Sequence, residues 1–148
     1  MDLRVLPNDI DITKVTSDRY SALMDLGRID YACRCGLRNA MFKKKWIPVA
    51  TFITIRFRFP LKIFQKYQLK TRLIWWDERT FYFEQIFERN SRVVTTGHMG
   101  AILFNKNGQI PSNVVIKESG QSVIKPKESE AIAKLREIQS LIHETQKD

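Results

Sequence analysis

Between Thr16 and Arg34 the chain carries apolar residues at helical spacing on two sides at once. Tyr20, Leu23, Met24, Gly27 and Tyr31 make one stripe, and Ala22, Leu26, Ile29 and Cys33 make another. A helix that is apolar on most sides has to be buried rather than laid on a surface. Thr16-Ser17-Asp18 supplies its start, with hydroxyls that can cap free N–H groups and a negative charge for the positive helix end. Gly36 supplies a natural stop. Gly27, inside the helix, costs about 1 kcal/mol relative to alanine. The expected reason for it is close approach of another backbone.

Beyond the helix the apolar period changes to two. In residues 51–59, Thr51, Ile53, Ile55, Phe57 and Phe59 share one face, and Thr54, Arg56 and Arg58 the other. In residues 67–75 the apolar set is Tyr67, Leu69, Leu73 and Trp75; in residues 80–88 it is Phe81, Phe83 and Phe87. A fourth strand, residues 92–104, contains Gly97 and Gly100, which suggest a bulge or bend. The short connections at residues 76–79 and 90–91 imply antiparallel hairpins. Residues 111–126 read as a surface connection, and residues 127–145 as a surface helix with Ala131, Leu135, Ile138 and Ile142 on one stripe. The sheet is the one element able to wrap the first helix. The expected class is therefore α+β: a hotdog fold, a curved antiparallel β-sheet around a long central helix, plus a C-terminal helix. The 148 residues fit one domain, with its core at about residues 3–115.

Charge and cysteine content narrow the partners. The net charge is +9, and no Asp or Glu falls between Tyr31 and Trp76, a stretch that holds Arg34, Arg38, Lys43, Lys44, Lys45, Arg56 and Arg58 among other cations. Such a segment attracts anions: phosphate, an acidic protein or a membrane surface. Interleaved aromatics raise the possibility of single-stranded nucleic acid, but they fall on the inward parity of strands, so no nucleic-acid partner is expected. Cys33 and Cys35 are too close together for an ordinary disulfide and read as buried small residues in a reducing compartment. No signal peptide and no membrane span are expected, and the location reads as cytoplasmic. The sequence holds no Ser-His-Asp pattern, no phosphate-cradling glycine loop and no metal-ligand cluster, so neither cofactor nor metal is expected.

Four pieces in order resemble the thioesterase-like hotdog proteins related to 4-hydroxybenzoyl-CoA and acyl-carrier-protein thioesterases. They are Asp9-x-Asp11 followed by Asp18-Arg19-Tyr20 and residues 24–30; Arg56-Phe57-Arg58-Phe59-Pro60-Leu61; Trp76-Asp77-Glu78-Arg79; and Gly108-Gln109-Ile110-Pro111. The resemblance implies hydrolysis of an acyl thioester carried on coenzyme A or acyl carrier protein. It also implies a homodimer or dimer of dimers, with the acyl tunnel between the helix and the neighbouring subunit's sheet. It places an acid near the helix start as base or nucleophile, and backbone N–H groups of the first turn as oxyanion donors. Carried onto this chain, the catalytic residues are Asp11 and Thr13, with Asp25 on the helix as a further carboxylate. The substrate-binding residues are Lys14, Thr16, Ser17 and Tyr20, with Arg56 and Arg58 for phosphate. The family's loop commonly reads Asp-x-Asn-x-His-x-Asn-Asn. Here it is one residue shorter, with Thr13 for Asn, Lys14 for His, and Thr16-Ser17 for the paired Asn. The competing expectation is a non-catalytic hotdog module that binds acyl-CoA or a carrier protein.

Overall fold

The computed structural model describes residues 1–11 and 14–145. A short strand β1 (Asp2–Arg4) leads through a 3-10 turn to a two-strand hairpin, β2 (Ile10–Asp11) and β3 (Lys14–Val15). Then come α1 (Ser17–Arg34), α2 (Arg38–Lys43), β4 (Ile47–Phe57), β5 (Lys66–Trp76), β6 (Phe81–Arg89), β7 (Arg92–Asn105), β8 (Gly108–Ile110), α3 (Ser112–Ser119) and α4 (Glu130–Thr145). The main sheet is antiparallel in the order β1-β5-β6-β7-β4, with β8 added to the end of β7. The first long strand thus pairs with the last, and among the described residues β4 ends the sheet with one side unpaired. Register shifts at Ala50/Phe52, Leu73/Trp75 and Phe87/Glu88 mark the bulges that let so long a sheet curl. This curled sheet carrying α1 is the hotdog fold.

The first stripe of α1 seats on the sheet. Tyr20 and Met24 are buried against Val5, Leu61, Tyr67, Leu69, Phe87 and Val94. The Tyr20 ring stands edge-on to Phe57 and Phe87, with centroids 5.2 and 5.0 Å away. Seating is close at two glycines. A Cβ on Gly97 would collide with the end of the Met24 side chain. One on Gly27 would lie 2.7 Å from Thr71 Oγ1 and 2.8 Å from Gln85 Nε2. Gly27 is therefore explained by side chains beneath the helix, not by a neighbouring backbone.

The second stripe behaves differently. Leu26 and Ile29 are each 45% exposed, and Ala22 is exposed as well. The chain's own sheet covers one side of α1, so the expectation of burial on most sides holds for the first stripe alone. The uncovered stripe lies beside an equally uncovered β4, where Ile47, Val49, Ile53 and Phe57 are exposed.

Local expectations are corrected at four places. Residues 112–119, read as connection, form α3, because Val115 and Ile116 pack on a second cluster with Leu37, Trp46, Trp76 and Phe81. Trp75 does not join the helix-facing set. The bulge at Ile74 turns it to the opposite face, against Tyr82 and Ile132 of α4. Ile132, rather than Ala131, is the buried anchor of α4, and Ile138 and Ile142 stay exposed. Cys33 and Cys35 are free thiols of intermediate exposure, less buried than expected. No helix among the described residues is long and apolar enough to cross a membrane.

Candidate functional site

Two cavities border the groove between α1 and β4. The first, about 520 Å³, sits at the N-terminus of α1. Asp11 and Lys14 of the hairpin, Thr16, Ser17 and Tyr20 of the helix start, and Phe57 and Arg58 from the end of β4 line it. Local chemistry builds this wall. Asp9 is 4% exposed. Its carboxylate accepts from Leu6 N–H at 2.9 Å and from Arg19 Nε and Nη2 at 3.0 and 2.7 Å. Its carbonyl accepts from Thr16 N–H at 3.2 Å. Of the two acids in Asp9-x-Asp11, the first is thus consumed in clamping the hairpin to the helix start. The second is exposed, paired in register with Lys14, and turned to the cavity. Val15 N–H donates to Leu61 O at 2.9 Å, and Lys14 bridges to Lys62, so the hairpin is also tied to the chain leaving β4. That brings Arg58 to the same cavity.

Thr16 is the N-cap residue, and the N–H groups of the first helical turn beyond it have no acceptors within the helix. They carry the positive end of the helix dipole, which makes this end of α1 a natural anion seat. Asp18 lies outside the cavity wall, fully exposed, its carboxyl held below the ordinary range mainly by the Thr16 hydroxyl. Burial raises the Tyr20 hydroxyl above its ordinary pKa, so it remains a neutral wall.

The second cavity, about 470 Å³, lies further along α1. Its surface is apolar: Ile29 and Ala32 of α1, Met41 of α2, Val49 and Ala50 of β4, Phe83, Ala101 and Leu103. Two charged residues interrupt it, Asp25 and Arg28, joined as an ion pair one helical turn apart. They differ in environment: the Arg28 side chain is 11% exposed and that of Asp25 59%. Desolvation pushes the Arg28 guanidinium down to about 10. Beneath it, the fully buried Gln85 donates from Nε2 to Met24 O at 2.8 Å and to Thr71 Oγ1 at 3.0 Å. Those two bonds fix the amide so that Oε1 accepts from Arg28 Nη1 at 3.4 Å.

Of the residues expected from sequence, Asp11, Lys14, Thr16, Ser17, Tyr20 and Arg58 meet at the first cavity. Asp25 stands at the second. Arg56 pairs with Thr96 on the face of β4 turned away from α1 and borders neither cavity. Thr13 lies outside the described residues. His98 is on that far face too, 3.6 Å from Glu84. Gln85 was not singled out from sequence. Its signal was its position: in Phe81-x-Phe83-x-Gln85-x-Phe87 it holds an inward parity otherwise occupied by phenylalanine.

A curled antiparallel sheet seated on one long helix places the protein in the hotdog-fold class. The thioesterase-like superfamily model matches residues 5–134, and the chain belongs to that superfamily. Protein THEM6 of Xenopus laevis is 30% identical over 132 residues, which are 86% of this chain and 62% of that protein. The chain thus spans less than two thirds of the length of that relative. Among solved structures, the DHNA-CoA thioesterase from Staphylococcus aureus superposes with a TM-score of 0.72 at 14% identity, covering 95% of this chain and 91% of the other. BH1999 gentisyl-coenzyme A thioesterase gives 0.69 at 22% identity, covering 79% and 98%. At these identities the two structures are likenesses of fold.

Proposed function

We propose that this protein hydrolyses acyl thioesters, with the Asp11 carboxylate as general base and the first turn of α1 as the oxyanion seat. The observation that carries the reading is the convergence of Asp11, Lys14, Thr16, Ser17 and Arg58 on one cavity at a helix N-terminus. Asp11 takes a proton from water as the water oxygen attacks the thioester carbonyl. The resulting oxyanion is held by first-turn N–H groups and the Ser17 hydroxyl, donors already in place before charge develops. Collapse of the tetrahedral intermediate breaks the C–S bond. The proton held by Asp11 passes to the departing thiolate, giving free acid, free thiol and the starting carboxylate. Lys14 and Arg58 supply positive charge at the cavity for carrier phosphates and for the departing sulfur.

The carrier is coenzyme A or acyl carrier protein. Coenzyme A is favoured because both solved neighbours are named for CoA thioesters. The working unit is a homodimer. The free side of β4 and the uncovered stripe of α1 present Val49, Ile53, Phe57, Leu26 and Ile29 together. An unpaired edge flanked by apolar side chains is a template for another strand.

A second reading, a binding module without turnover, is favoured by one observation: among the described residues the first cavity has Lys14 and no histidine. A lysine is a poor base unless its pKa is strongly depressed. The two readings part in a screen of acyl-CoA thioesters with a thiol-reactive dye. Release of thiol supports hydrolysis; saturable binding without thiol release across chain lengths selects the module.

A further inference from the structure

Arg28 is an unusual lining for an apolar cavity. A guanidinium carries five N–H donors. Among the described residues, Arg28 spends them on Asp25, which is largely in solvent, and on a long contact to Gln85 Oε1. Gln85 cannot move toward it, because Met24 O and Thr71 Oγ1 hold the other side of the amide. Gly27 keeps the space for this arrangement, since any Cβ there would collide with Thr71 and Gln85. The result is a cation held by Gln85 and Asp25 in the wall of an otherwise apolar cavity.

We infer that the Asp25–Arg28 pair selects an acyl chain bearing a hydroxyl group far from the thioester: Arg28 donates to the hydroxyl oxygen, and the hydroxyl donates to Asp25. This rests on the reading that places the thioester at the start of α1. Arg28 stands eight residues beyond Tyr20 on the same helix. At 1.5 Å per residue that is about 12 Å, a span for a flexible chain rather than a single ring. A hydroxyl fits better than a carboxylate, because Asp25 already neutralises the pair and would repel a second anion. A bare alkyl chain would strip water from Arg28 and Asp25 without replacing their hydrogen bonds. A polar site left unpaired in this way discriminates strongly, by roughly 10- to 100-fold for one hydrogen bond to a charged group.

The test compares ω-hydroxydecanoyl-CoA with decanoyl-CoA, in both hydrolysis and equilibrium binding, on wild type, Arg28→Met and Arg28→Lys. Wild type should prefer the hydroxylated chain by at least about 10-fold. Arg28→Met should lose the preference while still taking decanoyl-CoA, and Arg28→Lys should regain part of it. A structural role alone would lower both substrates together and leave the ratio unchanged. Hydrolysis of both chains with no preference overturns the inference and leaves the thioesterase reading intact. Selective binding of the hydroxylated chain without hydrolysis supports the inference and removes that reading. Equal binding of the two chains, or binding of neither, overturns the inference whatever the hydrolysis result.

Discussion

Replacing Gly27 with alanine sets two effects of known size against each other. Alanine is the better helix former, by about 1 kcal/mol. Against that, its Cβ would lie 2.7 Å from Thr71 Oγ1, 2.8 Å from Gln85 Nε2 and 2.9 Å from Leu69 Cδ2. None of the three has an easy way out. Gln85 is 0% and Leu69 1% exposed, and Gln85 and Thr71 are bonded to each other at 3.0 Å. Overpacking of this kind costs about 1–3 kcal/mol. Displacing Gln85 from Met24 O forfeits roughly 1 kcal/mol more for each hydrogen bond lost. The overlap therefore outweighs the propensity gain, and Gly27→Ala should destabilise by about 1–3 kcal/mol. Urea unfolding followed by tryptophan fluorescence measures it: the midpoint falls while the slope stays constant. In a Thr71→Ala background the same change should cost less, because the nearest colliding atom is gone, and the double-mutant cycle should show coupling. A raised midpoint for Gly27→Ala would refute the reasoning, since it would mean that α1 does not rest on Gln85 and Thr71 as described.

Three further outcomes are expected. Ile53→Glu places a charge on the exposed apolar face of β4 and should convert the proposed dimer to monomer in light scattering without unfolding it; an unchanged mass would remove β4 from the interface. Ile132→Ala removes the anchor of α4 against Trp75 and Tyr82; it should cost about 2–4 kcal/mol locally and raise amide exchange in α4 but not in β6. Burial raises the hydroxyl pKa of all four tyrosines, with Tyr31 and Tyr82 pushed up to about 12. Their folded values lie above the unfolded value of about 10. Their contribution to stability is therefore complete below pH ~10 and lost as pH rises above it. An absorbance titration should show tyrosine ionisation together with unfolding; a reversible step near pH 10 in the folded protein would contradict it.

The elements that repeat a period were legible in the sequence. The helix over residues 17–34 and the four long strands come directly from where the apolar residues fall. Hidden from sequence were the features that depend on contacts between distant segments. In Leu73-Ile74-Trp75-Trp76 four apolar residues run together, so parity cannot show that a bulge at Ile74 sends Trp75 outward. Val114-Val115-Ile116 are β-branched and consecutive, a poor helix signal. They become helical because Val115 finds the pocket near Trp46 and Phe81. At the site, Asp11, Lys14, Thr16 and Ser17 are neighbours in sequence and were readable as a group. Arg58 reaches them only because the segment leaving β4 ties to β3, and Arg56, two residues earlier, faces the other way. Asp25 could be named from its place on the helix, but the partly buried Arg28–Gln85 contact beneath it joins residues 57 apart in sequence.

The central claim is that a carboxylate at the start of α1 activates water against a thioester. Comparing kcat of wild type and Asp11→Asn on a hydrolysed acyl-CoA tests it most directly, with melting temperature as the control for folding. Asp11 is exposed and, among the described residues, bears no structural clamp, unlike Asp9, so Asp11→Asn should melt as wild type does. Its kcat should fall by about 10²–10⁴-fold, the usual loss for a positioned base. Wild-type kcat in Asp11→Asn, or a loss confined to Asp25→Asn, would contradict the account.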